Sequence, residues 1–145
     1  MRVAVALLPV AALLLLATLA VAESAGVALV GSVPTGNLAE AAATGEAATV
    51  VRLIGGGQSP RDVIAARAEV TGLTLVTPVE AAVLAGDAGM VQLLDRLGAI
   101  VGDDRLHVAC LARDLEEEPI AEFLVPAGLS CEPGAAIAAL RSRQQ

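Results

Sequence analysis

Only one histidine, His107, is present, and this limits the chemistry open to the 145-residue chain. A metal site held by two imidazoles is excluded. Asp103-Asp104 followed by His107 would suit a carboxylate–imidazole pair of the kind a small hydrolase uses. The same residues also suit a capped helix start, with Asp104 as the cap and His107 in a local hydrogen bond, and this is our reading. A serine nucleophile would need that single His as its base, and no Gly-x-Ser-x-Gly elbow occurs in the sequence. Gly55-Gly56-Gly57 lacks the following Lys and the preceding strand of a phosphate loop, so it reads as a helix stop. Glu116-Glu117-Glu118 reads as a solvated acidic turn rather than a cation site. The expectation is a protein with no catalytic residues, no cofactor and no metal.

The two cysteines are Cys110 and Cys131. Cys110 falls on a helical segment at a core-facing position, where Cys acts as a small hydrophobe. Cys131 precedes the last helical segment. A Cys110–Cys131 disulfide is permitted if the chain is exported, although spacing alone does not bring the two thiols together.

The elements that would position these residues are built from small side chains. The chain is 56% apolar, yet it contains no Trp or Tyr and only Phe123 as an aromatic. A core of Ala, Leu and Val suits closely packed helices. The net charge is −7, all nine basic residues are Arg, and they are scattered. Nucleic-acid binding requires a basic stripe that displaces counterions, so no nucleic-acid partner is expected.

Residues 1–22 have the parts of a secretory signal: Arg2, an uncharged run from Val3 to Val21, and the small-residue site Ala20-Val21-Ala22. The expected location is therefore periplasmic or extracellular. The alternative is an uncleaved anchor over residues 3–21, because about 20 apolar residues span a bilayer. In that case the membrane contact is made by this segment alone. Residues 23–36, with Gly26, Gly31, Pro34 and Gly36, read as a linker.

A self-similar pattern starts at Asn37. In the clearest unit, Thr77-Pro78-Val79-Glu80 has capping-box spacing with Pro at the first helical position. Ala81-Ala82 follow, and Gly86 ends a short helix. Met90-Val91 and Leu93-Leu94 continue a second helix, which Gly98-Ala99 closes. This unit resembles the ankyrin repeat. Thr77, Pro78, Ala82, Gly86, Leu93, Leu94 and Gly98 carry the likeness, with Glu80 and Asp87 where the family places His. A weaker copy runs from Asn37 through Gly45 to Gly57. Another runs from Asp104 through Arg113 to Gly128, with His107 at the family's His position.

The steps between copies are uneven. Gly45 to Gly86 is 41 positions and Gly86 to Arg113 is 27 (86 − 45 and 113 − 86), against about 33 in a regular array. The first junction thus carries an insertion, Ser59 to Val76, in which Pro60 to Ala68 suits an extra helix capped by Ser59. A last helix, Pro133 to Arg141, suits a capping helix or a partial fourth unit, and Arg141 and Arg143 suit its dipole.

The resemblance implies an all-α stack of about three helical hairpins with a C-terminal capping helix over residues 37–141, followed by a tail at 142–145. It further implies a protein–protein interaction module whose partner the sequence does not name. A self-associating structural protein is the alternative; a small hydrolase centred on Asp104 and His107 is a third.

Overall fold

The computed structural model describes residues 36–67, 75–125 and 130–145. The apolar N-terminal segment, and with it the signal or anchor reading, lies outside the described residues, as does all of the linker but Gly36. The described part is mostly helical. It comprises α1 (Leu38–Ala43), α2 (Ala47–Gly55), β1 (Ile64–Ala65), β2 (Leu75–Val76), α3 (Pro78–Leu84), α4 (Ala88–Arg96), α5 (Asp104–Asp114), α6 (Glu118–Leu124) and α7 (Ala135–Ser142).

The first six helices pair as hairpins, α1 with α2, α3 with α4 and α5 with α6. α1 packs on α3, and α3 on α5, so the first helices of the three hairpins form one row. The row is dense because its facing residues are small. Ala39, Ala41, Ala42, Ala81, Ala82, Ala109 and Ala112 are all buried, and Ala lets helix backbones approach closely. Leu38, Val50, Val83, Val91, Leu94, Leu111, Ile120 and Leu140 fill the rest of a continuous aliphatic core. Phe123, the sole aromatic, stays partly exposed on α6. In the second row α4 touches α6. Arg105 of α5 ties both of these helices in, donating to Asp95 at 2.6 Å and to the Leu124 carbonyl at 3.5 Å.

The three hairpin turns share one bonding pattern. Gly45 N–H donates to Ala42 and Glu46 N–H to Ala41; Gly86 donates to Val83 and Asp87 to Ala82; Glu116 donates to Arg113 and Glu117 to Ala112. This is the Schellman closure, which needs a left-handed residue after the helix. Gly45 (φ 75°) and Gly86 (φ 67°) supply it, and in the third turn Glu116 does so at φ 62°. The sequence alignment of Gly86 with Arg113 is therefore corrected. Arg113 is still helical, and the matching residue is Glu116, 30 positions on (116 − 86). Successive turns also touch. Asp87 reaches over Gly45 and Glu117 over Gly86, so that a Cβ on either glycine would meet the next turn's carboxylate at 3.2 or 2.9 Å.

The first junction departs from expectation. The expected helix over Pro60 to Ala68 does not form in its described part, 60–67; instead, a turn at 60–62 leads into β1, which pairs antiparallel with β2 (Ile64 opposite Val76, Ala65 opposite Leu75). Ser59 accepts only from Arg61 N–H, two residues on, which closes a local turn instead of capping a helix. The start of α1 takes up the strand's remaining polar groups: Asn37 Nδ2 donates to the Ala65 carbonyl at 2.8 Å, and Glu40 Oε1 accepts from Arg67 N–H. Val63 and Ile64 are β-branched, which favours an extended chain.

In the third hairpin the helix begins one residue earlier than expected. Asp103 is the N-cap without a side-chain bond, and Asp104 is already helical. Glu118 and Pro119, expected in a loop, form the first turn of α6. α7 packs on α5 but runs opposite to it. Its first turn meets Asp114 at the end of α5, with Gly134 and Ile137 N–H groups donating to the carboxylate at 2.8 and 3.3 Å. Its last residues reach the start of α3. A further helix continuing the row of α1, α3 and α5 in the same direction would run parallel to α5, and α7 runs against it.

Turn chemistry makes a direct stability prediction. Gly86→Ala should destabilise the fold by about 1–2 kcal/mol, the cost of a left-handed L-residue. Glu116→Gly should stabilise it by about 0.5–1 kcal/mol, the same relief less the added chain entropy of Gly. Urea unfolding of the two variants checks both signs.

Candidate functional site

α3 is buried on every side from Pro78 to Val83, which places Glu80 inside the fold. Glu80 is the one buried charged residue among those described, 2% exposed. It sits there because the capping box needs a carboxylate three residues after Thr77. Glu80 N–H donates to Thr77 Oγ1 at 3.2 Å, and Thr77 N–H donates to Glu80 Oε2 at 2.8 Å.

A buried carboxylate is tolerated only when its lone pairs are filled. Arg143, just past α7, supplies a two-pronged contact, with Nη1 to Oε2 at 2.9 Å and Nη2 to Oε1 at 2.7 Å. His107 of α5 adds Nε2 to Oε1 at 3.1 Å. Each carboxylate oxygen therefore receives two donors. Burial alone would push the Glu80 pKa up. The hydrogen bonds from His107, Arg143 and the Thr77 backbone, with the Arg143 charge, outweigh it and bring the pKa from the usual 4.5 down to about 2. The bond to Glu80 raises Arg143 in turn, against the opposing effect of its own burial. Because an ionised Glu80 only accepts, His107 Nε2 carries the hydrogen of this bond.

Gln144 completes the clamp. Its Oε1 accepts from Leu75 N–H at 2.8 Å and its Nε2 donates to the Leu75 carbonyl at 2.9 Å, pairing with the edge of β2 as a neighbouring strand would. Residues 143–144 thus bind the first turn of α3 and the strand before it. Sequence reading treated 142–145 as a tail and Arg143 as a dipole partner. A side chain at separation 63 from its partner leaves no local signal. The unsatisfied signal was Glu80 itself, a carboxylate in an otherwise apolar helix.

The carboxylate that holds His107 is Glu80, not Asp104. The local hydrogen bond expected for His107 is replaced by a contact across two hairpins. Cys110 and Cys131 form a disulfide with Cα atoms 5.5 Å apart, tying α5 to the segment entering α7. Thr77, Pro78, Ala82, Gly86, Leu93, Leu94 and Gly98 all lie in the α3–α4 hairpin. Pro78, Ala82 and Leu94 are buried, Leu93 is partly buried, and Gly86 and Gly98 are left-handed. Among the described residues no cluster of three or more His, Cys, Asp or Glu is arranged to hold a metal ion, and no helix is long and apolar enough to cross a membrane.

A pocket of roughly 170 Å³ opens beside Glu80, where the β1 segment meets the first turns of α3 and α5. Its apolar wall is Val63, Val79, Ala99 and Val108, and its polar rim includes Arg61, Asp104, His107 and Arg143. Compared with protein-family models, curated proteins and solved structures, the chain matches none.

Two predictions follow from these contacts. The depressed Glu80 pKa contributes stability that is complete above about pH 5 and is lost as pH falls from about 4.5 through about 2, by about 3 kcal/mol in all. Arg143→Gln should move this acid loss to higher pH, which urea titrations between pH 2 and 7 would register. Cys110→Ser with Cys131→Ser should cost about 3 kcal/mol, the chain-entropy value for a loop of this length. Amide exchange should then accelerate first in α7.

Proposed function

We propose that this chain is a protein-binding module of ankyrin-like helical hairpins, exported or tethered to a membrane by its N-terminal segment. The observation that carries this reading is the repeated turn: three closures with the same bonds, the acids of the second and third leaning over the turn glycine before them. Such repetition is what a stack of like units requires, since one hairpin cannot bury its own apolar face. The Thr77-Pro78 start, the Ala81-Ala82 pair and the Gly98-Ala99 stop add sequence support in the middle unit. The β1–β2 ladder supports it further, because it joins the first two hairpins where the family carries its finger loops. The Cys110–Cys131 disulfide is compatible with an oxidising compartment outside the cytosol.

In the ankyrin family the finger loops and the first helices of the repeats form the binding face. Val63, beside β1, and Val51, on α2, are about equally exposed, at 49% and 48%. A photo-crosslinking amino acid at Val63 should capture one discrete polypeptide in the producing cells. The same group at Val51, on a second helix of a hairpin, should not. No discrete adduct at Val63, or equal adducts at both positions, would defeat the proposal.

A further inference from the structure

The pocket beside Glu80 has a balance of free polar groups that specifies a ligand. Glu80 itself has nothing left to offer, with both oxygens filled by Thr77, His107 and Arg143. Arg143 uses two of its five N–H groups on Glu80, its side chain remaining 32% exposed. His107 is committed to Glu80 through Nε2, and its side chain is 35% exposed. Among the described residues, no partner is seen for the guanidinium of Arg61 or the carboxylate of Asp104, both on the rim. The rim therefore presents free donors on Arg61 and Arg143 and a free acceptor on Asp104.

The formal charges of the lining groups cancel, two Arg against Glu80 and Asp104. A simple anion would be repelled by Asp104, and a simple cation by the two guanidinium groups. A ligand that is neutral overall but carries both charges uses the two guanidinium groups and the Asp104 carboxylate together. The volume sets its size. Roughly 170 Å³ is the share of about five or six liquid waters, below the roughly 300 Å³ at which drug-sized sites begin. The wall away from the charges is made of Val63, Val79, Ala99 and Val108, with no aromatic ring to stack on.

We propose that this pocket binds a free aliphatic α-amino acid, its carboxylate on Arg61 and Arg143, its ammonium on Asp104, and its side chain on the valine wall. The pocket shares Val63 with the proposed protein-binding face, but its choice of ligand rests on its own polar groups and not on that reading.

Calorimetric titration of the full chain tests it with four probes: L-leucine, leucinamide (no carboxylate), 4-methylpentanoate (no ammonium) and glycine (no side chain). Leucine should bind saturably, and each of the other three should bind at least about tenfold more weakly, a loss of about 1.4 kcal/mol. Arg61→Gln and Asp104→Asn should each weaken leucine about tenfold while the free protein stays folded by circular dichroism, since neither side chain has a hydrogen-bond partner among the described residues. No saturable leucine binding up to about ten times a millimolar dissociation constant would overturn the proposal. Leucinamide or 4-methylpentanoate binding as tightly as leucine would overturn it equally.

Discussion

A carboxylate taken out of water must be matched, lone pair for lone pair, and Glu80 imposes that condition on a large part of this chain. Its four donors come from three places far apart in sequence: the backbone of Thr77, the ring of His107 and the fork of Arg143. The arrangement fixes where α5 starts relative to α3 and where α7 ends. The local requirement of a helix start thereby becomes a long-range restraint. Removing one donor leaves a charged oxygen short inside an aliphatic core, which is the costly case for buried ion pairs.

Around that polar centre, stability rests on close approach. Without large rings, the core gains its contacts by bringing helix backbones near one another through Ala. The turns serve the same end. Each left-handed residue lets a hairpin close tightly, and the acid of the next turn lies against it. Glu116 is the exception: it holds a conformation that favours glycine and places the third turn in register with the others at a local cost.

What was legible in the sequence was local. The α3–α4 hairpin could be read almost residue by residue, because a capping box, a proline and two stop glycines all lie within one short window. The third turn was misread because its left-handed residue is a glutamate, and no propensity rule selects Glu there. The segment after Ser59 was misread because its polar pattern suits a helix, whereas its extended form is held by Asn37 and Glu40 from another element. The candidate pocket was illegible for a related reason. Arg61, Asp104, His107 and Arg143 converge only once three hairpins and the last helix are in place. Of these, the sequence pointed to Asp104 as a helix cap, to His107 in a local hydrogen bond and to Arg143 as a dipole partner, whereas His107 and Arg143 meet at Glu80.

The reversed direction of α7 bears on how the molecule could grow. A hairpin added after α6 would need the flank of α5 as its seat, and α7 already fills that flank, pinned by a disulfide at one end and by Arg143 and Gln144 at the other. Duplication of a unit at that end would leave the newcomer with its oily side uncovered. At this end, then, the number of hairpins is fixed by the helix that closes it.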